Sequence, residues 1–250
     1  VTGTASVFRA KDVEAGFAPK LGTYTYSIYW LTKTGAKATA TIARSGDNYT
    51  MTTTARTGGF VDLFYRVRFK GEAILDAATL APRKVEVAEI VRKTSKHAVM
   101  RFGNGVVRSR RKRWKKDRPP FSVVDQDVDT KNGQIMDYFS AVLVARGIPW
   151  KLGDARTTTV FDGRGLNTVM LECVGRRRLK VKKQRLNTWH IKVKIVQLGT
   201  VHKDDDLIAE NINLYLTADA AREIVRIEAD TSYGDIKVKL DRFEPAGQHP

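Results

Sequence analysis

Apolar and polar positions alternate along most of the chain. Tyr24, Tyr26, Ile28 and Trp30 alternate with Thr23, Thr25, Ser27 and Tyr29. Ile191, Val193 and Ile195 alternate with Lys192 and Lys194, and Ile236, Val238 and Leu240 with Lys237, Lys239 and Asp241. Successive strand residues point to opposite faces, so this period of two marks half-buried antiparallel strands. The same reading predicts strands at 35–44, 50–54, 66–76, 80–91, 97–103, 106–114, 155–162, 167–183, 209–217 and 223–232. Asn104-Gly105, Asp47-Asn48, Gly163-Arg164-Gly165 and Tyr233-Gly234-Asp235 carry turn chemistry, and a further turn is expected near Gln184 to Asn187. One helix is predicted at 136–147. Met136, Phe139 and Leu143 share a face there, Asp137 suits the first turn, and Gly147 precedes Pro149. A short turn is read at Gly59 to Tyr65, and Lys115 to Asp129, with Pro119-Pro120, reads as a long connection.

About a dozen strands do not lie in one flat sheet. The expected fold is therefore all-β, a curved antiparallel sheet forming a half-barrel, barrel or sandwich. Residues 1–250 read as a single domain, with two sheet halves joined near 115–135 as the variant of that reading.

Composition narrows the function classes. At 250 residues and 42% hydrophobic, the chain can bury a substantial core. Its apolar runs fall far short of the roughly 18 residues that make a membrane-spanning helix. A single cysteine, Cys173, excludes an intramolecular disulfide framework and any multi-cysteine metal site. The chain starts at Val1 without an initiator Met, which suits either a protein whose export leader has been removed or a chain shortened at its N-terminus.

Charge adds most to the picture. The net charge is +17, and it is clustered. Residues 83–118 hold 14 basic and three acidic residues, and residues 176–194 hold nine basic and no acidic ones. Such clusters imply an anionic partner. Arg108, Arg110 and Lys112 form one row ending at Trp114. Arg178, Lys180 and Lys182 form another, followed by Lys192 and Lys194 on the next strand. Paired in register, those two strands would set like charges against each other, a repulsion that a bound anion relieves. These nine residues are the expected ligand-binding positions.

Signatures of chemistry are otherwise missing. The chain has no G-x-S-x-G elbow, H-E-x-x-H motif, Walker loop or dinucleotide fingerprint. Cys173 continues the apolar alternation of Val169 and Leu171 and reads as a core residue. His97, His190, His202 and His249 lack metal-ligand spacing. Asp125, Asp127 and Asp129 resemble the start of a calcium loop, but Thr130 and Met136 stand where Gly and a carboxylate belong. Asp204-Asp205-Asp206 reads as a solvated loop tip. No catalytic residue, metal or cofactor is expected.

The block Ala55-Arg56-Thr57-Gly58-Gly59-Phe60-Val61-Asp62-Leu63-Phe64-Tyr65-Arg66-Val67, followed by Glu72, Asp76, Thr79-Leu80 and Pro82, resembles the bacterial envelope family called domain of unknown function 3108. Asp137 to Arg146, Pro149, Gly153-Asp154, Thr217, Asp219, Arg222, Arg226-Ile227 and Gly234 agree with it in order, so the resemblance covers roughly 20–243. It implies an exported protein of a Gram-negative periplasm or envelope. In outline such a protein is similar to periplasmic lipoprotein carriers, whose sheets wrap an apolar cavity. The resemblance brings no catalytic residues. The chain departs from the family pattern in its basic run Arg108 to Lys116 and in Tyr138, where a Pro commonly stands. Within the motif, Gly59 suits a bend, Phe60, Phe64 and Tyr65 suit a barrel plug, and Arg56 is expected to pair with Asp62.

The leading expectation is a non-enzymatic envelope protein that binds an anionic lipid, glycolipid or acidic polysaccharide through its curved sheet and basic strands. A structural module docking on an acidic envelope protein or on membrane phosphates comes second, an envelope-polymer enzyme third. Nucleic acid comes last, for want of an RRM, KH or helix-turn-helix pattern.

Overall fold

A computed structural model of the protein describes residues 6–8, 12–30, 33–115, 119, 122–130, 134–198, 209–231 and 234–247. The side chains of Val7, Phe60, Leu63 and Phe64 are outside that description. So are His202, Asp204-Asp205-Asp206, Tyr233 and His249.

In chain order the elements are β1 (Ser6–Val7), β2 (Gly22–Trp30), β3 (Lys33–Ser45), β4 (Asn48–Thr57), α1 (Gly59–Phe64), β5 (Val67–Asp76), β6 (Pro82–Val91), β7 (Thr94–Gly103), β8 (Val106–Lys115) and β9 (Ser122–Asp129). There follow β10 (Ile135–Met136), α2 (Tyr138–Gly147), β11 (Ala155–Phe161), β12 (Leu166–Val181), β13 (Gln184–Leu198), β14 (Ala209–Thr217), β15 (Ile224–Thr231) and β16 (Ile236–Pro245). All sixteen strands belong to one curved sheet. Its order is β1-β11-β12-β13-β14-β15-β16-β2-β3-β4-β5-β6-β7-β8-β9, with β10 added to β11.

Antiparallel hairpins join sequence neighbours, and the pairing of β16 with β2 joins the two runs of strands. That junction is tight: the Tyr24 and Phe243 rings lie 4.5 Å apart, and Gly22, at φ +144°, lies against the Glu244 carbonyl. Among the described residues no pairing links β9 to β11, so the barrel stays open along that seam.

Two expectations need correction. The connection Lys115 to Asp129 contains a strand, β9, whose Val124, Gln126 and Val128 alternate with Asp125, Asp127 and Asp129. These aspartates therefore form no calcium loop. Asp127 and Asp125 stand opposite Arg108 and Arg110 in the ladder, at 3.8 and 3.6 Å. The turn expected near Gln184 to Asn187 lies instead at Lys182-Lys183, with Lys182 in the left-handed region. The short turn read at Gly59 to Tyr65 is present as a single helical turn, α1.

The helix α2 sits on the concave side. Its start is fixed by a capping box: Asp137 accepts from the Phe139 and Ser140 backbone, and the Ser140 hydroxyl accepts from the Asp137 N–H. Phe139 lies over Gly71 of β5, where a Cβ would collide with the ring. Gly147 is packed equally closely by Val13 and Phe17. Arg146 is buried, donates to the Arg222 and Ala221 carbonyls at 3.0 and 3.2 Å, and lies over the Tyr24 ring. Leu143, Val144 and Ile148 complete a core with Leu75, Val85, Met100, Val107 and Phe161.

Candidate functional site

Residues directly opposite in a ladder share a face, so the pairing registers sort the sheet into inner and outer rows. One inner row runs Met51, Ala73, Val85, Met100, Ser109, and the next runs Thr53, Gly71, Val87, Ala98, Arg111. A third runs Ala55, Phe69, Glu89, Lys96, Arg113. The inner face is thus apolar at its centre and charged toward one end.

Helix α2 covers part of this face and leaves a cavity of about 520 Å³. Its floor is Met51, Phe69, Val85, Val87, Ala98 and Met100, and its roof is Phe139 and Val142 of α2 with Phe161 of β11. The β11–β12 turn closes one end. Gly163 packs on Ala98 and Met100, and its carbonyl accepts from the Ser109 hydroxyl at 3.4 Å. Asp162 holds that turn by accepting from the Arg164 and Gly165 N–H groups at 2.8 and 2.9 Å.

The charged rim consists of Glu89, Lys96, Arg111, Asp162 and Arg164. Lys96 bridges Glu89 at 3.0 Å and is 12% exposed. Burial pushes the Asp137 carboxyl upward, while its hydrogen bonds with Ser140 and Phe139 oppose that. Tyr138 is pushed up to about 12 by burial and by the Asp162 carboxylate. Cys173 is buried, and that burial raises its thiol. Among the described residues no three His, Cys, Asp or Glu side chains gather as a metal site.

The two expected basic rows do not line this cavity. Arg108, Arg110 and Lys112 lie on the outer face with Trp114, whose ladder partner is Ser95. The cavity instead receives Arg111, of opposite parity. The signal was present: Val107 and Ser109 are buried, and the alternation that carries them inward carries Arg111 with them.

The second set is also divided. A bulge between Cys173 and Gly175 reverses the parity of β12. Beyond it Arg176, Arg178 and Lys180 share a face with Trp189, Asn187 and Arg185. Lys192 and Lys194 lie on the other face, beside Glu172 and Met170. The expected opposition of these lysines to the Arg178 row therefore does not occur, although Lys180 does face Arg185.

A family model matches residues 25–241. The chain belongs to the DUF3108 family, proteins of unknown function. Within the DUF3108 motif, Asp62 of α1 is bonded to both β4 and β5. Arg68, not Arg56, clasps Asp62: the two arginines oppose each other in the β4–β5 ladder, and the Arg68 guanidinium donates to both carboxylate oxygens. Thr57 donates to the same carboxylate at 2.6 Å and accepts from the Val67 N–H. Those hydrogen bonds hold Asp62 well below the usual carboxylate range. Gly59 has φ +55°, and Tyr65 carries Arg92 over its ring. The plug expected of Phe60 and Phe64 rests on side chains outside the described set.

No curated protein matches this DUF3108 chain in sequence. Among solved structures, a beta-barrel-like DUF1849 protein from Brucella abortus is similar over 93% of this chain and 99% of that one, with a TM-score of 0.57 at 12% identity. At that identity the likeness is one of fold. A candidate lipoprotein from Parabacteroides distasonis covers 91% of this chain and 98% of that one, with a TM-score of 0.32 at 8% identity. No helix among the described residues is long and apolar enough to cross a membrane.

Proposed function

We propose that this DUF3108 chain is a non-enzymatic protein of the Gram-negative envelope that holds an anionic, amphipathic ligand in its concave cavity. One observation carries the reading: an apolar cavity of about 520 Å³ whose rim presents Lys96, Arg111 and Arg164. That volume lies within the usual range for ligand pockets, roughly 300–1,000 Å³. An acyl chain laid over Val85, Val87, Ala98 and Met100 would gain about 0.8 kcal/mol per buried methylene. The head group would then meet Arg111 and Arg164, and Asp162 and Glu89 would select against a second negative charge close by. Lys96 is already bridged to Glu89 at 3.0 Å, so a head group that reaches Lys96 exchanges one ion pair for another.

The test is displacement of a fluorescent polyene fatty acid. The wild-type protein is expected to bind it. Ala98→Trp should abolish binding while circular dichroism stays native, since the indole fills the floor. Arg111→Gln should weaken the fatty acid about tenfold and leave the matching fatty alcohol unchanged. Failure of the wild-type protein to bind either probe would sink the reading.

A further inference from the structure

Among the described residues no strand pairs with the β12–β13 hairpin beyond β14, where Ala218 N–H donates to the Asn187 carbonyl at 2.9 Å, and its tip folds back along the outside of the sheet. Arg226 donates to the Lys180 carbonyl at 3.5 Å. Val181 and Lys182 close a small space with Tyr29, Val225 and Lys239. One side of the hairpin, with Leu179, Val181, Leu186 and the fully buried Thr188, is the less exposed. The other side carries Arg176, Arg178, Lys180 and Arg185, all exposed. Lys182 and Lys183 form the tip.

We propose that this exposed side is a docking surface for an anionic lipid bilayer. Three observations point there. Residues 176–194 contain no acidic residue, so no carboxylate in the outer half of the hairpin neutralises the row. Lys180 and Arg185 are direct ladder partners, an arrangement that costs stability unless an anionic surface relieves it. At the base of the hairpin Leu152 stands 74% exposed beside Gly175, next to Arg176, which stacks on Trp189 at 4.3 Å. A row of cations flanked by an exposed leucine and a tryptophan suits a bilayer interface, where charge attracts and the apolar tip inserts. The row on β8 differs: there Arg108 and Arg110 face Asp127 and Asp125. The inference is independent of the cavity reading, because none of these hairpin residues lines the cavity.

Vesicle co-sedimentation with the full chain tests it, using phosphatidylglycerol–phosphatidylcholine vesicles and pure phosphatidylcholine. The wild-type protein should bind only the anionic vesicles and should leave them as salt rises. The fourfold variant Arg178→Gln, Lys180→Gln, Lys182→Gln, Arg185→Gln should lose on the order of 100-fold in partitioning. Arg108→Gln, Arg110→Gln, Lys112→Gln should stay within about threefold, and Leu152→Ser should weaken binding at fixed charge. Equal losses in both charge variants would overturn the proposal, as would absent binding. Loss of a soluble acidic polysaccharide instead of vesicles would overturn it in favour of a glycan surface. Fatty-acid displacement should be unchanged in the fourfold variant, which separates this failure from that of the cavity reading.

Discussion

Arg68 clasps Asp62 through two parallel hydrogen bonds, Nη1 to Oδ1 at 2.6 Å and Nη2 to Oδ2 at 2.8 Å. This planar fork ties the single turn α1 to β5, and Thr57 adds β4 to the same carboxylate. Lysine cannot reproduce a bidentate clasp. Arg68→Lys should therefore lower the thermal midpoint, and Asp62→Asn should lower it further, whereas Arg56→Ala leaves it unchanged. Equal effects at Arg56 and Arg68 would show that the clasp holds nothing.

The β16–β2 junction makes a sharper demand. A Cβ on Gly22 would meet the Glu244 carbonyl, and φ +144° is a conformation that side chains avoid. Because the obstacle is backbone, no rotamer change relieves it. Gly22→Ala is expected to cost about 3 kcal/mol by urea titration, combining strain and overpacking.

The inner and outer faces of β13 can be told apart by charge. Val193 packs against the core opposite Leu171, and Lys192 stands on the other face opposite Glu172. Val193→Asp strands an unpaired carboxylate beside apolar neighbours and should cost about 3 kcal/mol. Lys192→Gln should stay within about 0.5 kcal/mol. A soluble, native-like Val193→Asp protein would mean that the faces are reversed.

Asp76 supplies a pH signature. Its carboxyl is lowered to about 2, first by the Arg83 hydrogen bond and then by Thr79. A carboxylate depressed in the folded state contributes stability above its unfolded value, and that contribution disappears as pH falls through the folded one. The stability gap between wild type and Asp76→Asn should hold at neutral pH and close between about pH 4 and pH 2. A gap independent of pH would place the contribution of Asp76 in its shape and not in its charge.

Much of this was legible in the chain. Alternation located nearly every long strand, because one side of each meets the core. Asp137 and Gly147 bounded α2, because capping chemistry is local. The block from Ala55 to Val67 led to the DUF3108 family. β9 was missed because its aspartates read as loop residues until Arg108 and Arg110 stand beside them.

The cavity and the fate of the cations were decided only by tertiary structure. Period two says that Arg110 and Arg111 face opposite ways, but the direction that faces the cavity depends on strands distant in sequence. At Gly175 one bulge reverses the parity of every later residue on β12, so the Arg178 row and the Lys194 row part company. Such a reversal depends on the partner strand, which contributes one residue where β12 contributes two. Alternation along the chain is enough to specify a curved sheet with two unlike faces, because each strand buries one side. Only the folded chain decided which charges line the cavity and which stand outside on the hairpin.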